Sequence, residues 1–163
     1  MIRPATDADL AAVTEIYRHY VQNSTATWTF EAPDERWWRE TLTTVSQDGL
    51  PFLVVEDESG VQGFAYLGTF RNRAGWRHTV EDTVYLREQA AGRGLGTRLL
   101  AALLASADPS RVREVVAMIS SDVEVSIALH RRLGFRETGR LPGVGEKFGR
   151  TLDCVILQRP LIL

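Results

Sequence analysis

Hydrophobic and polar positions along the chain switch between helical and strand periods. Ile2 to Ala5 reads as a short strand. Leu10, Val13, Ile16, Tyr17, Tyr20 and Val21 then recur at helical spacing. Thr6 and Asp7 are N-cap candidates, with Asp9 three residues after Thr6 in a capping-box pattern. Gln22 to Phe30 is polar and reads as a loop. A second helix is expected from about Pro33, a residue suited to a first turn, and it carries Trp37, Trp38, Leu42 and Val45. Gly49 and Pro51 punctuate its end. Two apolar runs, Phe52 to Glu56 and Val61 to Phe70, flank Glu58-Ser59-Gly60 and predict a hairpin. Arg71 to Gly75 reads as a loop and Thr79 to Leu86 as another strand.

The second half of the chain alternates. Leu95, Leu99, Leu100, Leu103 and Leu104 form an apolar helical stripe that ends at Asp108-Pro109. Val115 to Ile119 is a strand, Val123 to Leu133 a helix and Phe135 to Leu141 a strand. Gly143 and Gly145 are expected to break the chain before a last strand, Thr151 to Gln158. The order β α α β β β α β α β β predicts an α/β fold, a mixed sheet with helices on both faces. No linker or repeat divides the 163 residues, so one domain is expected.

Composition narrows the function. A net charge of −2 argues against a basic nucleic-acid binder. The apolar run Leu99 to Ala105 is far shorter than the roughly 18–20 residues of a membrane span, so no membrane partner is expected. A single cysteine, Cys154, excludes a disulfide framework and makes cytoplasmic residence the expectation. Three scattered histidines and one cysteine offer no metal-ligand spacing. Of the 19 basic residues, 18 are arginine, and the one lysine is Lys147.

Gly92-Arg93-Gly94-Leu95-Gly96-Thr97 lies between a predicted strand and a predicted helix. Glycines there let a phosphate approach unpaired backbone N–H groups, although a plain tight turn would also use them. The sequence lacks the lysine of a P-loop, and position 97 is Thr where a dinucleotide fingerprint needs glycine.

This turn resembles the acetyl-CoA pyrophosphate loop of the GNAT N-acetyltransferase superfamily. The resemblance extends to the phosphinothricin and methionine sulfone/sulfoximine N-acetyltransferases. It is carried by Ile16 to Thr27, by Thr79-Val80-Glu81-Asp82-Thr83-Val84-Tyr85-Leu86, by Ser126 to His130 with Leu133-Gly134-Phe135, and by Lys147-Phe148-Gly149-Arg150 with Leu152-Asp153. It implies the GNAT fold, acetyl-CoA as co-substrate, a small-molecule amine as acceptor and a homodimer. Gly92, Arg93, Gly94, Leu95, Gly96 and Thr97 would hold the pyrophosphate, and the main chain of Val84, Tyr85 and Leu86 the pantetheine arm. The chain departs from the family pattern at Ala91, Val123, Glu146 and Thr151.

Acetyl transfer to an amine needs a base, because an ammonium group is not nucleophilic. Glu81 is the candidate. It alternates with Val80, Val84 and Leu86, and a half-buried carboxylate has a raised pKa. A solvent-facing strand carboxylate is the competing reading. His130, where many superfamily members carry a tyrosine that protonates the leaving thiolate, is the second catalytic candidate, against a packed helix histidine. Arg71, Trp76, Arg77 and Lys147 are substrate-side candidates, since cations recognise the anionic groups of amino-acid analogues. Trp28, Phe30, Trp37 and Trp38 are expected in the core or a dimer contact, and Phe52 to Phe70 is apolar enough for a dimer surface. Two other functions stay open: a binding module for acyl-CoA without turnover, and an acetyltransferase for peptides or other amines.

Overall fold

A computed structural model describes residues 1–162. The strands are β1 (Ile2–Pro4), β2 (Phe52–Asp57), β3 (Gly60–Thr69), β4 (Thr79–Leu86), β5 (Glu114–Ser120), β6 (Arg136–Lys147) and β7 (Arg150–Pro160). The α-helices are α1 (Leu10–Asn23), α2 (Glu35–Gln47), α3 (Leu95–Ala105) and α4 (Glu124–Arg132). The strands form one mixed sheet in the order β1-β2-β3-β4-β5-β7-β6. Among the described residues, only β4 and β5 pair in parallel.

The period-2 alternation of the strands divides the core. Leu53, Val55, Ala65, Leu67 and Val80 face α3 and α4, packing with Leu99, Leu100, Leu103 and Ile127. Phe52, Val54 and Phe64 face α1 and α2, packing with Leu10, Val13, Ile16 and Trp38. Helices therefore cover both faces, as the pattern of elements predicts.

The feature that makes room for a site is a fork. β4 pairs with β3 from Val80 to Leu86. On its other edge it pairs with β5 only from Thr79 to Glu81, opposite Glu114 to Val116. Beyond Glu81 the parallel strands part, and that edge of β4 carries N–H and C=O groups with no strand partner.

Three expectations are corrected. Helix α2 starts one residue beyond Asp34, whose side chain accepts from the Trp37 N–H at 2.9 Å, so Pro33 precedes the cap. Gly143 and Gly145 do not end the strand: β6 continues to Lys147, absorbing the irregularity as a register shift between Leu141 and Gly145. Phe52 to Phe70 offers no free dimer surface, because Phe52, Leu53, Val54, Val55, Phe64, Ala65 and Leu67 are buried on both faces of the sheet.

Candidate active site

Two cavities meet at the fork. The first, about 420 Å³, lies between the parted strands, the N-terminal end of α3 and the length of α4. Thr83, Val84, Tyr85 and Leu86 line it on one side, and Gly92, Gly94, Leu95, Gly96 and Thr97 close one end. Gly94 is the N-cap of α3 with φ 73°, a conformation that suits glycine. The cap has no side chain to offer, and the first turn of a helix leaves its amides without internal acceptors. Unpaired amides at the helix start, an unpaired strand edge and a slot between them fit a pyrophosphate with a polar chain attached.

Arg93 is the exception among the expected loop residues. Its side chain is exposed and reaches Asp57 at 3.5 Å, outside the cavity lining. Ala91 and Val123, the departures from the family pattern, line the cavity without offering side-chain hydrogen bonds.

The second cavity, about 440 Å³, lies on the α1 side of the sheet and is lined by Thr25, Thr27, Trp28, Phe70, Arg71 and Ser120, among others. Glu81 lines both cavities. Its carboxylate has no side-chain hydrogen bond or ion pair among the described residues. Burial first and the neighbouring Asp82 second push its pKa up to about 6, with Arg71 opposing.

Asp82, the next residue, faces the α3/α4 side. Its Oδ2 lies 2.8 Å from His130 Nε2, while His130 Nδ1 lies 2.7 Å from the Ser126 carbonyl. Both ring nitrogens thus face acceptors, which suits the doubly protonated ring. Burial disfavours that cation, but the Asp82 hydrogen bond and charge outweigh it, and the His130 pKa is raised. Asp82 Oδ1 is buried and unpartnered. His130 lines the first cavity with both ring nitrogens engaged, Nε2 by Asp82 and Nδ1 by the Ser126 carbonyl.

The substrate-side expectations divide. Arg71 lines the second cavity beside Glu81. Trp76 and Arg77 do not reach it: Trp76 stacks edge-on against Phe70 at 5.5 Å, and Arg77 bonds the Ala74 carbonyl. Lys147 is corrected outright. It is 2% exposed, and its ammonium donates to the carbonyls of Tyr20, Ser24 and Thr27, leaving no donor for a substrate.

Sequence reasoning missed Met118, Ser120 and Cys154 in the second cavity. They stand on β5 and β7, and nothing local signals that these strands lie beside the fork. Trp28, expected in the core or a dimer contact, instead lines this cavity, while Trp37 and Phe30 are exposed and Trp38 is core.

Comparison with known proteins agrees with this geometry. Residues 2–156 match the model of the acetyltransferase (GNAT) domain. The chain is 39% identical over 161 residues to a phosphinothricin N-acetyltransferase of Alcaligenes faecalis, covering 98% of this chain and 82% of that protein. It is 42% identical over 158 residues to an L-methionine sulfoximine/L-methionine sulfone acetyltransferase of Pseudomonas aeruginosa, covering 96% and 92%. A Salmonella typhimurium structure solved with its cofactor acetyl-CoA superposes with a TM-score of 0.96 at 39% identity, over 100% of this chain and 94% of that one.

Proposed function

The chain belongs to the GNAT acetyltransferases and is an acetyl-CoA-dependent N-acetyltransferase; from that premise we propose that it acetylates the α-amine of a small amino-acid analogue by direct transfer, with Glu81 as the base. The observation that carries this reading is that Glu81, an unpaired carboxylate with a pKa of about 6, is the one carboxylate shared by the two cavities. A base with that pKa is ionised at neutral pH and takes a proton from an ammonium group, directly or through one water.

Acetyl-CoA supplies the activated acyl group when bound. The chain's own part is positioning and charge. The α3 amides and Thr97 hold the pyrophosphate, and the open edge at Val84 to Leu86 aligns the pantetheine arm. A backbone N–H of that edge polarises the thioester oxygen. On the other side Arg71 meets the acceptor's anionic group. Glu81 takes the ammonium proton and passes it to solvent; the free amine then forms the N–C bond, the thioester C–S bond breaks, and CoA leaves as a thiolate that takes up the second proton the nitrogen loses. Phosphinothricin, methionine sulfone and methionine sulfoximine carry the required amine and a tetrahedral oxygen-bearing group, and these are the proposed acceptors. Residence in the cytoplasm is proposed as well; among the described residues no helix is long and apolar enough to cross a membrane.

Thiol release from acetyl-CoA with those three compounds, against glutamate and methionine, tests the reading. Turnover on at least one of the three, abolished in Glu81→Gln, is expected. Binding of acetyl-CoA with no turnover on any amine would leave a binding module. We further propose a homodimer, supported by the apolar residues Leu141, Val144 and Phe148 exposed along β6 and its turn. Light scattering should give twice the monomer mass, and a monomer would refute this.

A further inference from the structure

Among the described residues, Lys147 and Arg159 are buried cations without a carboxylate partner, at 2% and 9% exposure. Each is held by three backbone carbonyls, and the shapes of the two cages differ. Arg159 sends Nε to Pro160, Nη1 to Leu133 and Nη2 to Leu161, at 2.9, 2.6 and 2.9 Å. That is the fork of a planar guanidinium. Lys147 sends one atom, Nζ, to Tyr20, Ser24 and Thr27 at 3.2, 2.5 and 2.7 Å. Three acceptors converging on one point suit the three hydrogens of an ammonium and no arrangement of a guanidinium. A chain that otherwise uses arginine at 18 positions keeps its one lysine where a fork does not fit.

The carbonyls identify what this cage holds. Tyr20 lies in the last turn of α1, and Ser24 caps it. An ammonium there offsets the negative end of the helix. Thr27 lies in the segment Thr25 to Trp28, which lines the second cavity opposite Glu81 and Arg71. Lys147 itself is anchored at the end of β6, where a tight turn with φ 53° at Phe148 and 70° at Gly149 reverses the chain into β7. Two residues earlier, a Cβ on Gly145 would come within 2.6 Å of the Trp28 ring, so glycine lets the indole lie against β6. The end of one hairpin therefore grips the segment twice, through the Thr27 carbonyl and through the Trp28 indole.

We propose that Lys147, with Gly145, is a positioning residue for the acceptor: it fixes the Thr25 to Trp28 segment as the wall of the acceptor cavity and so sets acceptor affinity and selectivity without touching the acceptor. This rests on the second cavity being the acceptor site.

The test compares Lys147→Met, Lys147→Arg and Gly145→Ala with Arg71→Met and Arg159→Lys, measuring acceptor KM, kcat, acetyl-CoA Kd by calorimetry and the unfolding midpoint. Lys147→Met and Gly145→Ala should each raise acceptor KM by about tenfold or more, with acetyl-CoA Kd changed less than about twofold. Lys147→Arg should fail to rescue, and Arg159→Lys should lower the unfolding midpoint with acceptor KM unchanged. Should Lys147→Met fail to fold, Gly145→Ala carries the same split with the ammonium in place. Unchanged acceptor KM in the Lys147 and Gly145 variants, while Arg71→Met raises it, overturns the positioning role and leaves the acceptor cavity standing. Unchanged KM in all three places the acceptor elsewhere and overturns both. Full rescue by Lys147→Arg shows that charge suffices and refutes the cage.

Discussion

Glu81 and Asp82 are adjacent carboxylates on one strand, and the sheet gives them opposite lives. Glu81 points to the α1 side, into a cavity, with no hydrogen-bond partner among the described residues. Asp82 points to the α4 side and holds His130 at 2.8 Å in a pair whose side chains are 2% and 5% exposed. The free carboxylate keeps a raised pKa and an open lone pair, which is what proton transfer requires. The paired one is committed to holding α4 against β4 at the mouth of the fork. In the proposed mechanism the unpaired carboxylate does the chemistry, while the paired one holds the fold. The same residue class serves both because alternate positions of a strand face different cores.

The largest expected effect on turnover is at the free carboxylate. Glu81→Gln should lower kcat by about 100-fold or more, the range of general-base catalysis, while calorimetry finds acetyl-CoA affinity unchanged. A kcat near wild type would remove Glu81 from the chemistry. Asp82→Asn should invert the balance, with a smaller loss of kcat and a loss of stability of about 3 kcal/mol by urea unfolding, since breaking a buried pair strands its partner. If it instead matched Glu81→Gln in kcat with stability intact, the contrast between the two carboxylates would collapse.

The pH dependences separate them further. kcat/KM should rise with pH through about 6 as Glu81 ionises, and Glu81→Gln should lose that limb. For stability the sign is the reverse. The fold favours protonated Glu81, a contribution complete below the ordinary value of 4.5 and lost as pH rises through about 6. The fold also favours charged His130, a contribution complete below 6.5 and lost as pH climbs through its raised pKa. Urea midpoints should therefore fall from acid toward alkaline pH on both accounts, and Asp82→Asn should weaken the part above pH 6.5. The smallest effect is expected at Cys154, which lines the Glu81 cavity but has its thiol pKa raised, chiefly by burial. Cys154→Ala should leave kcat within about twofold, and a larger loss would give the thiol a share in the chemistry.

Much of this was legible in the chain. Among the described residues, the strand and helix periods predicted each of the seven strands and four α-helices, although β1 and most of β6 bury no continuous face. The misreadings were local conflicts. Gly143 and Gly145 look like breakers, yet ladder bonds to β7 carry β6 across them as a bulge. Phe52 to Phe70 reads as a sticky surface because a sequence cannot say that two layers of helix cover it. Glu81, Arg71 and most of the glycine turn, singled out in the sequence by strand alternation, by charge chemistry and by resemblance, do line the two cavities. Ser120, Met118 and Cys154 were not singled out, since they join the site through strand order alone.

The chain's periodicities determined the α/β class, and its resemblance to the GNAT N-acetyltransferases pointed to the acetyltransfer chemistry. Both rest on repeats and short motifs, which act over a few residues. The tertiary structure alone decided that β4 and β5 part after Glu81, that His130 has both nitrogens engaged, and that the one lysine closes on three carbonyls. Each of those depends on groups far apart in the chain, 48 residues for Asp82 and His130 and 120 for Lys147 and Thr27. Contacts at such separation arise only when sheet order and helix packing bring the groups together, and no local pattern encodes the distance between them.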